Sequence, residues 1–259
     1  MELMVQTGGG EVWVRDSGGE GIPVVLLHPG WGDSGIWDEI AGELEDQARV
    51  VRYDSLGYGE SSAPTKRYTA VDELRAVLDQ LGVARAVLAG HSGGGATALS
   101  LAVAEPDRVA ELLLLAPGVS GYPWPADDPF MTEMTAAAQA KDVESAVEIG
   151  LRTWARAGAG EAVETQIRSA IAGMERQAPY LDEDPPVYER LGEIGTPATM
   201  FVGDLEYPMA VDCCRAIAER LPSCRVLNIP GSDHMIPLRA AGAVAELALM
   251  AVNAAETPA

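Results

Sequence analysis

A mostly parallel α/β sheet with helices on both faces, carrying an inserted helical cap, is the fold class this sequence predicts. Three observations predict it. Continuous apolar runs such as Pro23-Val24-Val25-Leu26-Leu27 alternate with segments of helical periodicity. A strand that is apolar throughout is one buried on both faces of a parallel sheet. The stretch Gly90-His91-Ser92-Gly93-Gly94-Gly95 joins one such run, residues 85–89, to an alanine-rich helical segment, residues 96–102, through a tight glycine-flanked turn. Between about residues 119 and 194 the alternation stops, and helical patterns follow one another with no buried strand between them. The 259 residues suffice for one large core with an insertion. The division is 1–118 with 195–259 for the core, and 119–194 for the cap.

In chain order, residues 3–7 and 11–16, joined by Gly8-Gly9-Gly10, read as an opening hairpin. The run 23–27 is the first buried strand. It ends at His28-Pro29-Gly30-Trp31-Gly32-Asp33-Ser34, and a helical pattern covers 37–44. Residues 49–53 form the next strand, followed by a loop dense in turn residues, 54–62. Val71, Leu74, Val77, Leu78 and Leu81 keep helical spacing over 69–81. The strand, turn and helix around Ser92 come next, then a buried strand over 109–115. The cap opens on Gly121-Tyr122-Pro123-Trp124-Pro125 and closes on Asp184-Pro185-Pro186, both helix-breaking. Its helices fall near 130–140, 143–157 and 161–177. Strand 198–202, helix 209–221, strand 225–229 and a closing helix over 240–253 resume the alternation. Residues 255–259 read as a frayed tail.

Composition narrows the partners. Eighteen Lys and Arg against 39 Asp and Glu leave a formal net charge of −21, the opposite of the basic footprint that nucleic acid requires. No apolar run approaches the ~20 residues of a membrane span. The start, Met1-Glu2-Leu3-Met4-Val5-Gln6-Thr7, lacks the basic and apolar regions of a secretory signal. Cys213, Cys214 and Cys224 are odd in number and clustered, which suits reduced thiols rather than a disulfide framework. They hold no metal-ligand spacing with the three histidines. The expectation is a cytoplasmic protein with no membrane association, no metal and no cofactor, as a monomer or homodimer.

Ser92 lies at the centre of a G-x-S-x-G turn, which strains the serine backbone and sets helix-opening amides beside its hydroxyl. A nucleophilic serine needs a base, an acid to orient that base, and amides to hold an oxyanion. Of the three histidines, His91 adjoins the serine and diverges from it along the strand end, and His28 follows another strand. His234, in Pro230-Gly231-Ser232-Asp233-His234-Met235, follows the last strand, where the order Ser, acid, His places the base. Two carboxylates, Asp204 and Glu206, share the preceding loop. Asp233 is too close to His234 along the chain to orient it easily.

Taken together, LLHPGWGDSGIWD, YDSLGYGESS, AGHSGGG, PDRVAELLLLAPG, FVGDLEYP and PGSDHM resemble, in order, the α/β-hydrolase superfamily, in particular its small esterase, lactonase and cofactor-free haloperoxidase-like members. The resemblance covers almost the whole chain. It implies Ser92 as nucleophile, His234 as base and Glu206 as acid, at the G-x-x-D position, with Asp204 as the alternative. It implies oxyanion donors at Gly93 and at Gly30, with Trp31 the alternative to Gly30. The chain departs from the family at Pro29, which stands in a glycine position and has no N–H, and at Leu56, where arginine is frequent. The loop 54–62 is read as structural. Trp31, Trp124, Met131, Met134 and Met235 are the expected pocket residues. Both expected oxyanion donors are glycines, which implies an open acyl region tolerating bulky groups. The implied activity is hydrolysis of a small carboxylic ester or lactone through an acyl-enzyme. The alternatives are lyase, carbon–carbon cleavage or cyclase chemistry on the same residues, or a slow-turnover small-molecule receptor.

Overall fold

The computed structural model describes residues 1–257. Its main sheet has eight strands in the order β1-β2-β4-β3-β6-β7-β9-β10. These are β1 (Glu2–Gln6), β2 (Glu11–Asp16), β3 (Val24–Leu27), β4 (Val50–Tyr53), β6 (Ala86–His91), β7 (Val109–Leu115), β9 (Ala198–Gly203) and β10 (Cys224–Ile229). The opening hairpin is antiparallel and its second strand pairs antiparallel with β4; every other pairing in this sheet is parallel. All residues of β3, β4 and β6 are buried. That is why β3 and residues 86–90 of β6 read as unbroken apolar runs rather than as alternating ones, while β4 carries one buried charge, Arg52, bonded to Ser34 O and Asp38.

The helices of the core are α1 (Asp38–Leu44), α2 (Ala70–Gln80), α3 (Gly93–Ala104), α7 (Pro208–Arg220), α8 (Ile236–Arg239) and α9 (Ala241–Glu256). Thr69 caps α2 by accepting from Asp72 N. Between β7 and β9 lie α4 (Pro129–Ala140), α5 (Val143–Trp154) and α6 (Glu161–Gln177). Asp128 and Asp142 cap the first two, through Phe130 N and Ser145 N, and α5 packs between its two neighbours.

One expectation gains a detail and one needs correction. The stretch 119–194 holds no buried strand, but a half-buried two-residue one, β8 (Leu181–Asp182), pairs in parallel with β5 (Tyr68–Thr69), tying the end of the insertion to the entry of α2. Two residues carry no periodicity, so only the pairing reveals them. Ala255 and Glu256 are not a frayed tail but the last turn of α9, where Glu256 accepts a hydrogen bond from Ile22 N. Pro258 and Ala259 lie outside the described residues.

Connections leave β3 toward β4 and β6 toward β7, on opposite sides, so the adjacent strands β3 and β6 form a topological switch point. Ligands of open α/β sheets bind in the crevice at the carboxyl ends of such strands. His28, Gly30, Ser92 and Gly93 all follow these two strands.

Candidate active site

The turn after β6 is strained at Ser92, which has φ 51° and ψ −110°. Its flanking glycines are required by contact. A Cβ on Gly90 would lie 2.5 Å from Gly94 O, and one on Gly94 would lie 2.3 Å from Leu27 O, so strand and helix approach too closely for any side chain. Gly93 is the first residue of α3, and the amides that open a helix have no carbonyl of their own to bond.

Register then delivers a second amide. Leu27 pairs with Gly90, so the residues three further on, Gly30 and Gly93, meet; a methyl on Gly93 would sit 3.4 Å from Gly30 N. The Pro29–Gly30 peptide is held by its carbonyl, which lies 2.8 Å from His28 Nδ1, while Ser55 N donates to His28 Nε2 at 2.9 Å. An N–H at Nε2 is thereby excluded, so Nδ1 carries the proton and donates to Pro29 O. In a trans peptide the Gly30 N–H points opposite to that carbonyl. Tyr58 hydroxyl donates to Gly30 O at 3.2 Å, fixing the next peptide as well. Sequence reasoning assigned neither His28 nor Tyr58 this bracing, since it depends on hydrogen bonds between separate loops.

The loops after β9 and β10 leave the same sheet edge because those strands are parallel neighbours. His234 Nδ1 lies 2.8 Å from Glu206 Oε2, and both residues are buried. The other carboxylate oxygen, Oε1, accepts from Tyr207 N at 2.7 Å. Asp204 is exposed and accepts from Gly231 N at 2.7 Å, so it bonds the turn ahead of the histidine and not the histidine itself. Asp233 is fully buried, and its carboxylate is bonded to Met235 N, Ala157 N and Arg239. His234 Nε2 has no partner among the described residues. Resting active sites commonly leave this bond to form with substrate. The buried His91 ring lies 4.9 Å from that of His234. Burial, and then the neighbouring imidazole, hold His91 well below the ordinary histidine value, so it stays neutral.

Ser92 and His234 line one cavity of about 500 Å³, together with Gly30, Gly93, Tyr53 and Trp154. A model of the Alpha/beta hydrolase family matches residues 24–247. The chain belongs to that family.

Other alpha/beta hydrolases resemble it over shorter or more distant matches. A 2-hydroxymuconate semialdehyde hydrolase of Pseudomonas sp. (strain CF600) is 37% identical over 119 residues, covering 43% of this chain and 41% of that protein. A pimeloyl-[acyl-carrier protein] methyl ester esterase of Pseudoalteromonas atlantica is 32% identical over 134 residues, covering 50% of this chain and 52% of the relative. The chain thus spans about half or less of the length of the curated relatives it matches. Over nearly full length, the enol-lactonase from Burkholderia xenovorans LB400 superposes with TM-score 0.78 at 22% identity, covering 97% of this chain and 100% of the other. Est816, described as an N-acyl homoserine lactone degrading enzyme, gives TM-score 0.79 at 24% identity, covering 95% and 98%. At these identities the superpositions show the fold alone.

In this alpha/beta hydrolase the expected pocket residues separate. Trp124 lines the cavity. Trp31, Met131, Met134 and Met235 do not. Trp31 packs with Phe130 and Trp154 in an aromatic cluster. Met131 is exposed on α4, Met134 packs against the core from the same helix, and Met235 is fully buried. With Trp31 turned into that cluster, Gly30 is the loop residue that lines the cavity beside Gly93. Tyr53, Tyr58 and Trp154 are lining residues that sequence reasoning missed. Trp154 ends a helix on which every apolar residue carries the same amphipathic signal, and nothing local marks it. Glu73 is buried beyond Leu56, whose N–H it accepts at 3.0 Å, and burial pushes its carboxyl up to about 7.

Proposed function

We propose that this chain is a serine hydrolase that cleaves a small, uncharged carboxylic ester or lactone. The observation that carries the reading is the buried 2.8 Å contact between His234 Nδ1 and Glu206, which leaves Nε2 without a partner in a residue that lines the same cavity as Ser92. In this reading residues 119–194 cap a core made of 1–118 and 195–259.

On this reading the reaction runs through an acyl-enzyme. Ser92 Oγ attacks the carbonyl carbon as His234 Nε2 takes its proton, and Glu206 stabilises the imidazolium that results. The oxyanion is held by the N–H groups of Gly93 and Gly30, each such donor being worth about 3 kcal/mol. The C–O bond then breaks, and Nε2 delivers the proton to the departing alkoxide, leaving an acyl-Ser92. Water, deprotonated by the same nitrogen, releases the acid. The position a Cβ on Gly30 would take is open, with no atom within 4 Å, which supports room for branched or bulky acyl groups.

Among the residues lining the cavity there is no lysine or arginine. A substrate carboxylate entering it would lose hydration with no cation to replace it, which supports an uncharged substrate over the dienoate acids named for some relatives. The test is labelling with a fluorophosphonate, with the modified peptide located by mass spectrometry, alongside turnover of p-nitrophenyl acetate. Labelling at Ser92 with turnover abolished in Ser92→Ala supports the reading; turnover surviving in that variant overturns it.

A further inference from the structure

The C-terminal end of α5 and the residues just beyond it reach both halves of the His234–Glu206 pair. Trp154 lays its indole against the His234 ring, with centroids 4.4 Å apart and planes tilted by 40°. Arg156 Nη1 donates to the Glu206 carbonyl at 2.9 Å. Ala157 N donates to the carboxylate of Asp233, the residue before His234, at 2.7 Å. Gly158 O accepts from Arg239, which also bonds Asp233. Trp154 is itself held by ring contacts to Phe130 at 5.0 Å and Tyr207 at 5.7 Å, and Tyr207 is the residue whose N–H bonds Glu206 Oε1.

We propose that residues 154–158 form a clamp that sets the geometry of the His234–Glu206 pair, with Trp154 as its main positioning residue. The inference rests on the serine-hydrolase reading for its catalytic meaning. On it, the insertion between β7 and β9 is a fixed part of the proton-transfer machinery and not a cover that swings free of it.

The physical need is specific. With the ring tethered at Cγ, the Nδ1 bond to Glu206 still tolerates rocking about the Cβ–Cγ bond. The Trp154 indole, with the His91 ring 4.9 Å away, restricts that rocking and so aims Nε2. When Nε2 receives the serine proton, the resulting positive charge lies beside an aromatic π-system, an arrangement that favours the cation. The Arg156 bond acts on the backbone carbonyl of the acid itself, and the Ala157 bond on the side chain of the residue before the base, so both loops are tied to one short segment. Swinging α5 outward would break all of these contacts at once.

Trp154 Nε1 has no partner among the described residues, so Trp154→Phe keeps an aromatic face and removes no protein hydrogen bond. Trp154→Leu removes the face. Arg156→Met, at an exposed position, removes only the bond to the acid loop. Two measurements on the full chain decide: kcat and KM for p-nitrophenyl acetate, and the far-downfield proton resonance of the His234–Glu206 hydrogen bond, which needs no substrate. The clamp predicts that Trp154→Leu lowers kcat about 30-fold with KM within about 3-fold, and broadens the resonance. Trp154→Phe should restore most of that kcat. Arg156→Met should lower kcat about 5-fold with KM steady, and it decides the matter alone if Trp154→Leu does not fold. Wild-type kcat in Trp154→Leu, a loss confined to KM, or a resonance unchanged in every variant overturns the clamp. Absence of turnover in the wild type overturns the hydrolase reading instead, while the resonance still decides the clamp.

Discussion

Glu206 Oε2 and His234 Nδ1 are 2.8 Å apart, at the ends of loops that leave adjacent parallel strands. Those loops approach so closely that a Cβ on Gly203 would lie 2.1 Å from Ser232 O. The glutamate, one methylene longer than the family's usual aspartate, reaches the imidazole while its second oxygen stays on Tyr207 N.

Glu206→Gln keeps a side chain of the same length and loses the charge that stabilises the imidazolium. Its kcat for p-nitrophenyl acetate should fall by about 10³-fold with little change in KM. Asp204→Asn, which can still accept from Gly231 N, should stay within about 2-fold of wild type. A reversed ranking in steady-state assays would assign the acid to Asp204.

Gly93→Met places a side chain beside Gly30 N, at the edge of the cavity. Hydrolysis of branched or aromatic acyl esters should drop by at least about 10-fold more than hydrolysis of acetate, because the side chain fills acyl space while leaving the Gly93 amide in place. The comparison is of kcat/KM for two aryl esters sharing one leaving group. Equal losses on both would show that the glycine serves the amide geometry alone.

Gly94→Ala introduces a carbon 2.3 Å from Leu27 O, between α3 and β3. Neither backbone can yield without moving the sheet, so a destabilisation of about 3 kcal/mol is expected, or roughly 6–12 °C in Tm for a chain of this size. Thermal unfolding by circular dichroism measures it.

Glu73 links stability to pH. Its folded value of about 7 lies above the ordinary glutamate value of 4.5 because burial disfavours the carboxylate. The native state therefore holds its proton more tightly than the unfolded chain does. The contribution is full below about pH 4.5 and is lost as pH rises through 7, by at most about 3 kcal/mol. Glu73→Gln retains an acceptor for Leu56 N–H and does not titrate. Its Tm should gain on wild type between pH 5 and pH 8 in a scanning series; parallel curves would remove Glu73 as the cause.

Much of this molecule was legible before any coordinate. Apolar runs announced the buried strands, since a strand covered on both faces has no polar side to show. The glycines around Ser92 announced the strained turn, since contacts shorter than 3 Å forbid a Cβ at Gly90 and Gly94. The choice of Glu206 over Asp204 and of Gly30 over Trp31 came from the resemblance to the family's motifs; the structure bonds Glu206 to His234 and Asp204 to Gly231 N, and sets Gly30 on the cavity wall.

What stayed hidden depends on contacts between segments far apart in the chain. The two-residue pairing of β5 with β8 has no local periodicity. Trp31 and Met131 look like pocket residues by type, but one turns into an aromatic cluster and the other faces outward from α4. Trp154 looks like ordinary packing on an amphipathic helix, yet it rests on His234, 80 positions away. Sequence determined the strands of the main sheet, the turn and the chemical types available, because local sterics and burial patterns dictate them. Only the tertiary structure decided which aromatic ring meets the imidazole and which residues face the cavity, because those follow from how helices lie across the sheet, and no local pattern encodes that.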